Sequence, residues 1–68
     1  MEYTECSKEE LLEAKLQINS TLHKLRETIK TLESKENPQR YKSQITLAKR
    51  RVKAFEIAVS LLEKELLR

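Results

Sequence analysis

Between Tyr41 and Leu66 the apolar residues fall at positions 41, 45, 48, 52, 55, 59, 62 and 66, an unbroken alternation of four- and three-residue steps. An α-helix turns about 100° per residue, so these steps keep Tyr41, Ile45, Ala48, Val52, Phe55, Val59, Leu62 and Leu66 on one stripe. Charged residues surround the stripe, and a stripe this long is the seam of a coiled coil. The same alternation runs earlier in the chain through Leu11, Ile18, Leu22, Leu25, Ile29 and Leu32, with Lys15 as its one polar member. A lysine beside a seam lays its methylenes on apolar neighbours and sends its ammonium to water. The first helix also carries its own start signal. Ser7 followed by Glu10 is a capping box, and Cys6 and Leu11 occupy the positions of a hydrophobic staple. Glu9, Glu10 and Glu13 suit the positive pole of the helix dipole.

The stripe lapses over Glu33-Ser34-Lys35-Glu36-Asn37, and Asn37-Pro38 reads as an N-cap followed by proline at the first helical position. The pattern therefore predicts helix one over about 8–34, a turn over about 35–37 and helix two over about 38–67. Each helix would be about 40 Å long at 1.5 Å per residue. Two long amphipathic helices joined by a few residues lie antiparallel. Folding at the turn pairs Leu32 with Ile45, Ile29 with Ala48, Leu25 with Val52, Leu22 with Phe55, Ile18 with Val59 and Leu11 with Leu66. The residue numbers of every pair have the same sum, so the stripes stay in register from end to end. The expected fold class is all-α: a single domain over residues 1–68, an antiparallel two-helix hairpin of coiled-coil type. Residues 1–6 precede the cap, as frayed chain or a short extra N-terminal turn.

A hairpin needs one stripe per helix, and this chain has more apolar residues than that. Helix one adds Leu12, Ala14 and Leu16 in its first turns; helix two adds Leu47, Ala54, Ile57, Ala58, Leu61 and Leu67, concentrated in its second half. With Val52 and Val59 taken as zero, Ala58, Ala54 with Leu61, and Ile57 fall near about 240°, about 200° and about 140°. Antiparallel pairing collects this excess at the end of the hairpin away from the turn. Leu and Ala are favoured in helices anyway, which would place some of them there without a role. Their concentration at one end instead reads as a contact surface, because exposed apolar patches mark protein interaction sites. Leu12, Leu16, Ala54, Ile57, Ala58 and Leu61 are the candidate partner-binding residues. The alanine pair would let a partner helix approach closely.

Composition narrows what such a surface can serve. The chain has 68 residues, no glycine, one proline and one cysteine, with 37% charged and 4% aromatic residues. One cysteine excludes an internal disulfide, and no Cys/His cluster is present to hold a metal, so stability must come from helix packing and association. No apolar run approaches the ~20 residues that span a bilayer. The acidic start Met1-Glu2-Tyr3-Thr4-Glu5 lacks the plan of a signal peptide, so the expected location is the reducing cytoplasm. The net charge of +3 hides a polarity: residues 1–14 carry five Glu against one Lys, and residues 15–53 carry eleven Lys/Arg against three Glu. Lys49-Arg50-Arg51-Val52-Lys53, with Arg40 and Lys42 upstream, would suit phosphate contacts, but no nucleic-acid module or interleaved aromatics accompany it. Nucleic-acid binding is thus the weaker expectation and a solvated face, or contacts to acidic groups of a protein, the stronger. His23 has Arg26 and Glu27 at helical spacing, and no second ligand for a metal. Cys6 lacks a nearby base and reads as an inert thiol. The glutamate groups at 9/10/13 and 63/65 have no pocket to desolvate them, so the expectation is a protein without enzymatic activity or a cofactor.

One further pattern points toward a family. Arg40-Tyr41-Lys42, followed by Lys53-Ala54-Phe55-Glu56-Ile57-Ala58-Val59-Ser60-Leu61-Leu62, resembles the small E-type co-chaperones of type III secretion needle subunits, the YscE/PscE-like family. Those proteins share an aromatic shortly after the turn and an Ala-x-Glu-x-Ala-apolar segment ending in paired aliphatics. Length and two-helix plan agree as well. The spacing from Tyr41 to Lys53-Ala54 is about one helical turn longer here, which keeps the face. The resemblance implies a cytoplasmic hairpin that pairs with a tetratricopeptide-like chaperone, the two together keeping a needle subunit soluble and unpolymerised before export. Ala54–Leu62 would be the contact region. The alternatives from other classes are a homodimeric structural or regulatory adaptor, which also covers self-association of the isolated chain, and a small basic nucleic-acid-associated protein.

Overall fold

In the computed structural model, which describes residues 6–68, two helices fold back on each other across one short connection. Helix α1 runs Lys8–Glu33, a 3-10 turn covers Pro38–Tyr41, and helix α2 runs Lys42–Leu66. There are no strands among the described residues. The all-α antiparallel hairpin expected from the stripes is the fold, and α1 and α2 pack against each other. The extra N-terminal turn considered ahead of Ser7 falls, for residues 1–5, outside the described residues.

Each boundary has a local cause. At the start of α1 the Ser7 hydroxyl accepts from the Glu10 N–H at 3.1 Å, and the Ser7 N–H donates to Glu10 Oε1 at 2.9 Å. Both halves of the capping box are formed, satisfying two N–H groups that helix geometry leaves open. At the other end the chain lacks the glycine that usually closes a helix in a left-handed conformation. Ser34 stays right-handed (φ −85°, ψ −5°), donates its N–H to Lys30 O at 3.0 Å and its hydroxyl to Thr31 O at 2.9 Å. Helix α1 thus stops at Glu33, one residue before the expected end.

Helix two differs more at its start. Residues 38–41 were expected as its first turn, and they form a separate 3-10 turn instead. Asn37 sits before Pro38 as predicted, but its side chain makes no capping bond, and only its carbonyl accepts, from Arg40 N–H at 3.1 Å. A 3-10 turn, common at helix termini, fills the corner. Lys35 Nζ lies 5.8 Å from the centre of the Tyr41 ring and closes the outside of the corner.

The core is thin. Only Leu22 (3% exposed) and Ala48 (7%) are fully buried among the described residues. Every other seam residue, from Leu11 to Leu66 and including Lys15, is half-buried. Two helices cover one side of each other and nothing more. The dimensions say the same: the molecule measures 47 × 22 × 16 Å with a radius of gyration of 15.3 Å, whereas a compact domain of this length would have about 11 Å.

Candidate functional site

The hairpin has two broad faces, and they differ in chemistry. On one of them three ion pairs cross between the helices: Lys15–Glu63 at 3.2 Å, Arg26–Glu56 at 2.7 Å and Lys49–Glu33 at 3.2 Å. They are spread along the length of the seam like rungs. The helical positions explain the arrangement. Measured from Leu22, Lys15, Arg26 and Glu33 lie about 20–40° to one side of the α1 stripe. Measured from Val52, Glu63, Glu56 and Lys49 lie about 20–60° to the same-sense side of the α2 stripe. Flanks of equal sense share a face when two helices run antiparallel, so the six charges meet. All six side chains keep 30% to 59% of their surface exposed, so each pair is a surface bridge of modest strength. Their effect is to cover this flank of the seam with charge.

The opposite face has no such cover at its distal end. There Leu11, Ala14 and Ile18 of α1 and Ala58, Leu61 and Leu62 of α2 line a shallow open groove of ≈ 430 Å³, with Glu65 as its one charged member. Ala14 lies about 80° from Leu22 on the side away from the ion pairs, and Leu62 and Ala58 lie about 80–120° from Val52 on that same side. Small side chains at 14 and 58 make the depression between the helices, and the larger aliphatics form its walls. The groove has the volume of a small-molecule pocket but no converging set of polar groups to orient one. Its shape suits a row of side chains projecting from a third helix laid along it.

The six candidate residues divide between three places. Ala58 and Leu61 line the groove. Ala54 and Ile57 point outward from α2, with Ile57 52% exposed. Leu12 (49% exposed) and Leu16 (64%) lie toward the ion-paired flank and outer edge of α1, and are not part of the groove. The expected single distal patch is therefore split. Nearness along the axis does not place residues on one face, and the excess leucines of α1 fall on the flank opposite to the groove. Conversely, Leu11, Ile18 and Leu62 belong to the groove although the stripe assigns them to the seam. Half-burial does not single them out, because most of the seam shares it; they join the groove because Ala14 and Ala58 leave the flank beside them open.

Other chemistry is sparse. Among the described residues no group of three or more His, Cys, Asp or Glu is placed to hold a metal ion, and His23 and Cys6 are exposed. No described helix is long and apolar enough to cross a membrane. In the basic segment Arg40, Lys42, Lys49, Arg50, Arg51 and Lys53 are all exposed, and Lys49 is engaged by Glu33. Tyr41 and Phe55, the aromatics nearest to it, are half-buried on the seam and not presented for stacking. A second hollow of ≈ 350 Å³ at the turn is lined by Lys35, Glu36, Asn37, Arg40 and Tyr41. Compared with known proteins, the chain matches no family model, no curated protein and no solved structure.

Proposed function

We propose that this chain is a protein-binding helical hairpin that acts as a cytoplasmic co-chaperone. Its groove accepts a helix of a larger tetratricopeptide-like chaperone, and the pair keeps a type III secretion needle subunit soluble and unpolymerised before export. The observation that carries the binding role is the open groove at Leu11, Ala14, Ile18, Ala58, Leu61 and Leu62, on a hairpin that fully buries only two of its described side chains. A domain this thin gains stability by completing its core with another chain. The identity of the partners rests on the resemblance of Arg40-Tyr41-Lys42 and Lys53–Leu62 to the needle co-chaperones. Of the residues in that motif, Ala58, Leu61 and Leu62 also line the groove.

The mechanism is masking. A needle subunit polymerises through an apolar helix, the larger chaperone holds that helix, and the hairpin stabilises the chaperone by adding two helices to its edge. No bond is made or broken, so no acid, base or metal is required. Affinity capture from the native cytoplasm tests this. The wild-type chain is expected to bring down a helical-repeat protein together with a small helical subunit, and Leu61→Asp to bring down neither. Recovery of nucleic acid with steep salt sensitivity, or of the same proteins by Leu61→Asp, would contradict it.

A further inference from the structure

The outer edges of the two helices, the sides facing away from each other, are also unlike. On α1 the edge carries Glu9, Glu13, Leu16, Ser20, Lys24 and Glu27, all exposed, so carboxylates outnumber its one lysine. On α2 it carries Arg50, Ile57, Leu61, Lys64 and Arg68, all exposed, with Glu65 as the one carboxylate within about 50° of its centre among the described residues, 3.4 Å from Arg68. One edge is acidic with a leucine, and the other is basic with two aliphatics. Lay a second hairpin beside the first with its ends level, and the α1 edge of one meets the α2 edge of the other, antiparallel. The same row positions that pair within the hairpin then pair between hairpins. Glu9 comes opposite Arg68, Glu13 opposite Lys64, Leu16 opposite Leu61 and Glu27 opposite Arg50. Three opposite-charge pairs and one apolar contact are satisfied together in that single register. Pairing two α1 edges would join two net-acidic surfaces, and pairing two α2 edges two net-basic ones.

We infer that the occupant of the α2 outer edge is a second copy of this chain, bound through the acidic α1 edge of that copy. The contact joins two different surfaces, so each added hairpin leaves one edge of each kind open. Such heterologous contacts propagate into open chains and do not stop at a dimer. The inference concerns the edges and meets the proposed groove at Leu61, which lines both, so the charge variants below, which leave Leu61 intact, are the ones that test the edge contact. Because the charged residues lie at exposed sites, association is weak and salt-dependent: raising salt from about 0.1 M to about 1 M shortens the screening length from ~10 Å to ~3 Å.

Sedimentation velocity over a concentration series tests it, on the wild type and two double variants. Glu13→Lys with Glu27→Lys makes both edges basic, and Arg50→Glu with Lys64→Glu makes both acidic. Glu13 Oε1 also accepts from Gln17 at 2.9 Å and Glu27 lies 3.8 Å from Lys30, so circular dichroism is run alongside to confirm retained helicity. The wild type is expected to grow beyond dimer with concentration and to return to monomer at high salt. Each double variant should associate at least about tenfold more weakly, since attraction across the contact becomes repulsion. An equimolar mixture of the two should associate again. A wild type that stays monomeric, or that forms a closed dimer indifferent to salt, overturns the inference by itself and needs no variant. Helical variants whose mixture stays monomeric overturn it as well.

Discussion

Single residues in this hairpin carry unequal shares of its stability. Leu22 is 3% exposed and Leu16, six positions earlier on the same helix, is 64% exposed. Truncating a buried leucine removes its transfer free energy and leaves a cavity, so Leu22→Ala is expected to cost about 2–5 kcal/mol, whereas Leu16→Ala should stay within about 0.5 kcal/mol. Urea denaturation followed by circular dichroism compares the two directly. Ser7 accepts from Glu10 in the capping box at the exposed end of α1, and Ser7→Ala should cost about 1 kcal/mol in the same assay. The seam membership of Leu22 was legible in the 4-3 pattern. That it and Ala48 alone become fully buried among the described residues was not, because burial depends on what lies over a residue and periodicity records only the side it faces. The groove shows the same gap. Ala14 and Ala58 were visible as surplus small residues, but their meeting across the seam appears only when both helices are placed.

At the scale of the elements, the start of α1 was readable because its signal is local. A serine with a glutamate three residues on specifies its own hydrogen bonds, and these formed as expected. The entry to α2 was misjudged for a complementary reason. Asn-Pro marks where a helical segment begins and leaves open whether its first turn is α or 3-10; here it is 3-10. The interhelical ion pairs were not anticipated, since charges at the edge of a stripe can point to water as well as across. Arg26–Glu56 at 2.7 Å has the shortest contact of the three. A double-mutant cycle on Arg26→Ala and Glu56→Ala should return a coupling below about 1 kcal/mol, and it should shrink in high salt. A coupling of several kcal/mol, unchanged by salt, would mean that the ladder and not the seam holds the helices together.

In the whole molecule, the residues that fold the hairpin differ from those it offers to others. The seam needs Val52 and Phe55, which are half-buried against α1; it does not need Ile57 and Leu61, which are 52% and 60% exposed. Far-ultraviolet circular dichroism of four single variants tests that separation most directly. Val52→Asp and Phe55→Asp place an unpaired charge in the thin seam between the helices, at a cost of several kcal/mol against a margin of similar size, and should lose most of their helical signal. Ile57→Asp and Leu61→Asp should keep it, with melting curves close to wild type. Equal loss of helicity in all four would show that the surface stripe is part of the fold, and would contradict the assignment of the groove to a partner.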